Sequence, residues 1–266
     1  MNDKNVIIVT GASRGIGHAT AAFFHKKGYV VYALSRTGCD LEGVKSLLCD
    51  VTDGARLKEA IDSIFEAEQH IDVLVNNAGG GISGAVEKTG SADARRLFEL
   101  NFFSFFEAAK FTIPYMRRRK SGKIINIGSV AGTLHIPFQT FYSASKAAVE
   151  AFSNCLRGEL APFNIKVTTV LPGDTRTGFT DAREKDFDEN DPDYGARIAR
   201  SVKLMEKDER GGMSPQSVVK KIYKAVRSKN PKPSYTVGVT YNIFVLLNKL
   251  LPKRLVQFII NMMYSR

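Results

Sequence analysis

Short apolar, β-branched runs alternate with stretches of helical periodicity through the first two thirds of the chain. The runs read as buried strands at residues 6–10, 29–35, 46–49, 73–76, 123–128 and 166–171. Helical patterns lie between them at residues 15–27, 53–68, 92–119 and 141–161. Strand–helix alternation requires right-handed crossovers, and these produce a parallel sheet covered on both faces. The expected fold class is therefore α/β, a doubly wound parallel sheet.

Beyond Leu171 the pattern changes. Pro172-Gly173 ends the sixth strand, and the next stretch is polar and charged, with scattered apolar anchors at Phe179, Phe187, Tyr194 and Met205. A long insertion of this kind at a strand's carboxyl end predicts a mobile lid at about 178–213. Ser214-Pro215 reads as the N-cap and first residue of a further helix, followed by a strand near 234–238. An apolar helical extension then occupies about 240–266, broken by Pro252-Lys253-Arg254. Neither half approaches the ~20 apolar residues that span a bilayer. Two short helices hinged at Pro252 are expected. They either pack on a partner subunit or a pocket, or lie in a membrane interface with Lys249, Lys253 and Arg254 toward the headgroups. No linker or repeat divides the 266 residues, so one domain spanning 1–266 is expected.

The net charge of +11 invites a nucleic-acid reading, but the basic residues are dispersed and no recognition module is present. The densest cluster, Arg117-Arg118-Arg119-Lys120, follows an apolar helical run, where cations complement a helix C-terminus. Nucleic acid is not an expected partner. Cys39, Cys49 and Cys155 lack metal-ligand spacing; Cys49 and Cys155 read as core thiols, and no metal is expected. The first strand begins almost at once, without a basic and then apolar leader, which predicts a cytoplasmic protein, with membrane-peripheral contact through the terminal helices as the alternative.

The chemistry is concentrated in three places. Thr10-Gly11-Ala12-Ser13-Arg14-Gly15-Ile16-Gly17 follows the first strand and opens a helix. Its glycines permit a tight turn, close backbone approach to a pyrophosphate and close packing of helix on strand. At the end of the second strand, Ser35-Arg36 stands where an acidic residue would bind ribose hydroxyls. With Arg14 it favours a 2′-phosphate, hence NADP(H) over NAD(H). Tyr142 and Lys146 lie one helical turn apart on one face, so the ammonium is expected to lower the phenol's pKa toward the working range of a general acid or base.

Together these motifs resemble the short-chain dehydrogenase/reductase family, a Rossmann-type oxidoreductase family, over residues 4 to about 177. The resemblance implies that Gly11, Ser13, Arg14, Gly15, Ile16 and Gly17 form the cofactor turn, that Asp50 and Val51 contact adenine, and that Asn77, Ala78 and Gly79 (in Asn76-Asn77-Ala78-Gly79) lie by the adenine ribose. It places Asn101, Ser129, Tyr142 and Lys146 at the catalytic tetrad, and Pro172, Gly173, Thr175 and Thr177 by the nicotinamide. Tyr142 would exchange a proton with the substrate oxygen, Ser129 would hold that oxygen, Lys146 would bond the nicotinamide ribose, and Asn101 would position a water.

The segment Leu134-His135-Ile136-Pro137-Phe138 is expected to line the pocket. Leu134 and Phe138, with Phe179, Ser129 and Tyr142, imply a hydrophobic small-molecule substrate of steroid-, retinoid- or lipid-like character. The expected activity is NADP(H)-dependent interconversion of a carbonyl and a secondary alcohol. A 3-ketoacyl-thioester reductase and a non-catalytic NADP(H)-binding regulator are the alternatives. The family also implies a homodimer or homotetramer built on helices 92–119 and 141–161.

Overall fold

Val6–Thr10 (β1) alternates its side chains between two cores, and both are apolar. Val6 and Ile8 join one cluster while Ile7 and Val9 join the other. A strand sandwiched in this way belongs at the centre of a sheet, and the computed structural model, which describes residues 4–264, places it there. In chain order the elements are α1 (Gly15–Lys26), β2 (Val30–Ser35), β3 (Lys45–Leu48), α2 (Gly54–Glu68), β4 (Val73–Asn76), β5 (Ile82–Ser83), α3 (Ser91–Phe98), α4 (Ser104–Arg119), β6 (Gly122–Ile127), α5 (Thr140–Leu160), β7 (Ile165–Pro172), β8 (Glu184–Lys185), α6 (Gly195–Arg210), α7 (Pro215–Arg227), β9 (Ser234–Val237), α8 (Val239–Leu250) and α9 (Lys253–Tyr264).

The main sheet runs β3-β2-β1-β4-β6-β7-β9, and every pairing is parallel. Leu57, Ile61 and Ile64 of α2 pack with Met116 of α4 and Leu156 of α5 on one face. Phe24 of α1 and Val218 and Ile222 of α7 cover the other. The expected doubly wound α/β sheet is thus formed. Its strand order reverses between β1 and β4, the crevice where ligands bind in open sheets of this kind.

Four details depart from the sequence reading. β3 is an edge strand rather than a buried one, with Leu48 76% exposed, because nothing pairs on its outer side. The predicted helix at 92–119 is divided by a π-turn, Glu99–Phe103, which seats Asn101 in a fully buried position. The segment 178–213 is more structured than its polarity implied: β8 pairs with β5 in a separate two-stranded sheet, and α6 buries Ile198, Val202 and Met205. Cys155 is exposed rather than in the core, since the buried stripe of α5 runs through Val149, Ser153, Leu156 and Leu160 and leaves position 155 outside. Cys49 is buried, and burial pushes its thiol up to about 11.

The terminal extension forms two helices meeting at Pro252, as expected; its last two residues, 265–266, lie outside the described residues. Among the described residues, no helix is long and apolar enough to cross a membrane.

Candidate active site

β1 delivers the chain into a turn whose backbone only glycine accommodates well. Gly11 has φ +63°, and a Cβ there would lie 2.7 Å from Ala78 Cα. Gly17 does not face the cavity. It seals the turn from behind, because a Cβ there would meet Gly11 O at 2.3 Å. The segment after β4 locks this arrangement. Thr10 Oγ1 accepts from Asn77 N (2.9 Å) and Ala78 N (3.1 Å), and Asn77 Nδ2 donates to Thr10 O (3.0 Å) and Gly11 O (3.1 Å). Deeper in, Asn76 Nδ2 donates to Asn126 Oδ1 at 2.9 Å, and Asn126 Nδ2 donates to Ser153 Oγ at 2.8 Å. This buried network ties β4, β6 and α5 together.

A cavity of ≈1170 Å³ extends from this turn. Gly11, Ser13, Arg14, Gly15 and Ile16 line one end with Ser35, Arg36, Asp50, Val51, Asn77, Ala78 and Gly79. Pro172, Gly173, Thr175 and Thr177 line its middle. Arg14 and Arg36 are exposed at the rim. Ser35 is buried and donates its hydroxyl to Gly38 O at 3.0 Å, which folds the loop after β2.

At the inner end the structure brings Asn101, Ser129, Tyr142 and Lys146 together. Ser129 caps a short 3₁₀ turn, its Oγ accepting from Ala131 N at 3.1 Å, and it also hydrogen-bonds the Tyr142 side chain. Lys146 Nζ is buried; it donates to Ile127 O at 3.0 Å and lies 6.0 Å from the Tyr142 ring centroid. Asn101 accepts from Gly80 N (2.9 Å) through Oδ1, while its Nδ2 donates to Gly80 O (3.0 Å) and Ser145 Oγ (3.0 Å). Ser145 Oγ in turn donates to Tyr142 O at 2.8 Å.

The electrostatics correct one expectation. Burial pushes the Tyr142 phenol up to about 12, with the Ser129 hydrogen bond only partly opposing it. Lys146 is not among the groups that lower it: its Nζ donates to a backbone carbonyl, and burial pushes the lysine itself down to about 8. In this geometry Tyr142 is a protonated phenol at neutral pH.

Residues 5–188 match the short chain dehydrogenase family. The chain is also 40% identical over 263 residues to a 3-ketodihydrosphingosine reductase of Bacteroides thetaiotaomicron, covering 98% of each. This chain belongs to the short-chain dehydrogenase family. A further relative is mouse estradiol 17-beta-dehydrogenase 2, 29% identical over 289 residues that cover 97% of this chain and 74% of the relative. Among solved structures, a short-chain dehydrogenase of Streptomyces avermitilis superposes with a TM-score of 0.83 at 30% identity, covering 94% of this chain and 93% of that one. Membership makes the protein an oxidoreductase with a nicotinamide dinucleotide cofactor. The glycine turn that lines the cavity, the uncapped N-terminus of α1 and the continuous cavity from Arg36 to Tyr142 fit that group.

The same geometry shows what this short-chain dehydrogenase adds around the family motifs. Phe179, after β7, stacks at 5.5 Å and a tilted angle on Tyr142. Arg183 lies 5.6 Å over the opposite partner, the Phe179 ring, and forms a buried ion pair with Glu209 of α6. Leu134 and Phe179 line the cavity as expected, but Phe138 does not. Its backbone takes φ +63° and its ring turns into a separate core with Ile198, Val202 and Met205, so Ile136 and Gln139 face the cavity instead. Motif reading also missed Tyr241 of α8, whose hydroxyl donates to Asp174 at the cavity wall. Burial raises the Asp174 carboxyl and the Tyr241 phenol above their ordinary values. The sole hint was Asp174 directly after Pro172-Gly173. Its partner lies 67 residues onward, beyond any local pattern.

Proposed function

We propose that this dehydrogenase reduces the ketone of a long-chain amino lipid to a secondary alcohol at the expense of NADPH. The observation that carries the reading is the composition of the cavity. It runs from Ser129 and Tyr142 to apolar side chains of the terminal helices, Phe244, Leu247, Leu251, Val256 and Ile260. A chain of methylenes suits that wall. Asp174, at the same wall, offers a carboxylate to an ammonium group. The 40% relative, named for a ketone of this class, supports the same substrate.

In this reading Tyr142 holds a proton at its hydroxyl and delivers it to the carbonyl oxygen as negative charge builds there. Ser129 donates a hydrogen bond to that oxygen and fixes its distance from Tyr142. Lys146 would hold the ribose by the nicotinamide and supply positive charge there. Asn101 braces Gly80 and α5, holding the Tyr142 backbone through Ser145, and positions a water beside Lys146. The dinucleotide, when bound, supplies the hydride. Residues 178–213 act as a lid that excludes water through Phe179. Assembly uses α4 and α5, with exposed Phe103 just before α4 and Phe106 on it, giving a homodimer or homotetramer.

The test is NADPH and NADH oxidation with 3-ketodihydrosphingosine, a steroid ketone and a 3-ketoacyl thioester. Turnover of the first with NADPH is expected. Turnover of the thioester alone, or none of the three, overturns the reading. Arg36→Asp is expected to weaken NADPH use about 10- to 100-fold while leaving NADH use intact, the loss of one or two charge-assisted hydrogen bonds. Equal losses with both cofactors would place Arg36 away from the 2′-phosphate.

The pH profile follows from the two buried groups. Lys146, at about 8, loses its charge as pH rises through that value, whereas Tyr142, at about 12, keeps its proton. Reductive kcat/KM is therefore expected to stay flat below about pH 8 and to fall above it in a single limb. A profile rising through that range would contradict this assignment.

A further inference from the structure

The outward face of the terminal helices is the largest feature that the reaction leaves unused. Among the described residues, eleven of the fifteen exposed large hydrophobic side chains lie on α8 and α9. On α8, Val239, Ile243, Leu246 and Leu250 recur at helical spacing, stand 51–80% exposed, and do not line the cavity. On α9, Leu255 and Met262 continue this outer face, while Val256 and Ile260 turn inward. Each helix is thus apolar on two sides. A helix that only roofed the cavity would carry polar residues on its outer side.

Charge decides what covers that face. Between positions 239 and 264 there is no Asp or Glu, and Lys249, Lys253 and Arg254 stand exposed around the hinge at Pro252. A second copy paired through this face would bring two such cationic hinges together with no acid in the segment to neutralise them. An anionic lipid surface presents the opposite sign. Helices of 12 residues each, about 18 Å long at the usual rise per residue, suit lying in an interface rather than crossing it.

We infer that α8 and α9 dock this enzyme onto an anionic bilayer surface and that the cavity mouth thereby opens toward the lipid. Phe244, Leu247, Ile259 and Met263 both line the cavity and stand exposed, so the mouth is continuous with the docking face. A long-chain ketone then passes from bilayer to Tyr142 along an apolar path without crossing water. The docking half stands on the surface alone; the delivery half rests on the amino-lipid ketone reading above.

Flotation of the full chain with vesicles separates the two. The protein is expected to float with phosphatidylcholine vesicles containing phosphatidylglycerol, and far less with phosphatidylcholine alone. Neutralising the hinge with Lys249→Gln, Lys253→Gln and Arg254→Gln is expected to lower partitioning on the order of 100-fold. Ile243→Asp with Leu246→Asp and Leu250→Asp is expected to abolish flotation while leaving the thermal melt and turnover of a short, water-soluble ketone unchanged, because these side chains face outward. The docking half is overturned if the wild type stays in the aqueous fraction at low salt, or if the triple Asp variant floats equally. It is also overturned if light scattering shows a wild-type assembly that this variant dissociates, which would make a second copy the occupant. With long-chain ketone supplied in the vesicles, the triple Asp variant is expected to be at least tenfold slower than wild type; equal rates overturn the delivery half. Wild type that floats yet reduces neither ketone overturns the catalytic reading and delivery with it, leaving the docking result as it stands.

Discussion

Tyr142→Phe is expected to reduce ketone turnover by about 10²- to 10⁴-fold, the range over which a positioned general acid acts. The substitution removes one oxygen and leaves the ring, so stacking on Phe179 and packing in α5 persist. Dinucleotide binding should change little, because the turn at Gly11 and the rim at Arg36 lie at the other end of the cavity. The signature is therefore a loss in kcat with cofactor affinity preserved, measured by single-turnover kinetics and by fluorescence titration with NADPH. Tyr142, pushed up by burial to about 12, carries its proton at neutral pH, the form that a donor to the carbonyl oxygen requires. Turnover equal to wild type would require another proton donor. No other phenol or imidazole hydrogen-bonds Ser129 among the described residues, so a water delivered past Lys146 would be the remaining source.

Glu209→Ala is expected to cost stability on the order of 3–5 kcal/mol, because it strands a buried cation. The Arg183 side chain is 1% exposed and that of Glu209 13%, and Thr180 Oγ1 donates to the second carboxylate oxygen at 2.7 Å. Arg183 Nη1 has no partner, so the guanidinium depends heavily on this one acid. The melting temperature should fall by about 10 °C, at a few degrees per kcal/mol for a chain of this size. The double variant Arg183→Met with Glu209→Leu should recover most of that loss, since replacing both charges with apolar groups removes the desolvation cost along with the attraction. Activity should not recover equally, because Arg183 stands over Phe179 and Phe179 over Tyr142. A Glu209→Ala variant that melts with wild type would mean that solvent reaches Arg183.

The strands of the sheet were legible because burial on both faces demands uninterrupted apolar runs, and their ends were placed within one residue. Three of the residues gathered at the inner end of the cavity were legible for another reason: Ser129 follows the carboxyl end of β6, and Tyr142 and Lys146 sit on the first turns of α5, whereas Asn101, in the turn between α3 and α4, was placed by the family resemblance alone. What escaped reading depends on distance or on competition between forces. Leu48, the exposed apolar residue of β3, is of the same type as a buried one; only its place at the sheet edge exposes it. Phe138 looked like cavity wall, but its left-handed backbone swings the ring to the far side. The pairing of Tyr241 with Asp174 joins the extension to β7's end and has no local signature. The tyrosine's pKa was misjudged because spacing reports proximity to Lys146, whereas burial governs both groups.

The two-stranded sheet of β5 and β8 fastens the segment that follows β7 to the rest of the domain. Only two pairs of residues face one another in it, Ile82 with Glu184 and Ser83 with Lys185. Its backbone ties, Glu184 N to Gly81 O and Asp186 N to Ser83 O, are both 2.9 Å. Side chains reinforce it: Glu184 pairs with Arg96 at 2.6 Å, Lys185 with Glu206 at 2.8 Å, and Asp186 Oδ2 accepts from Gly90 N at 3.2 Å. Breaking it leaves the seven-stranded sheet untouched. On the proposed lid reading this small join is what parts when residues 178–213 move, and the seven-stranded sheet that carries the dinucleotide turn is not called on to open with it.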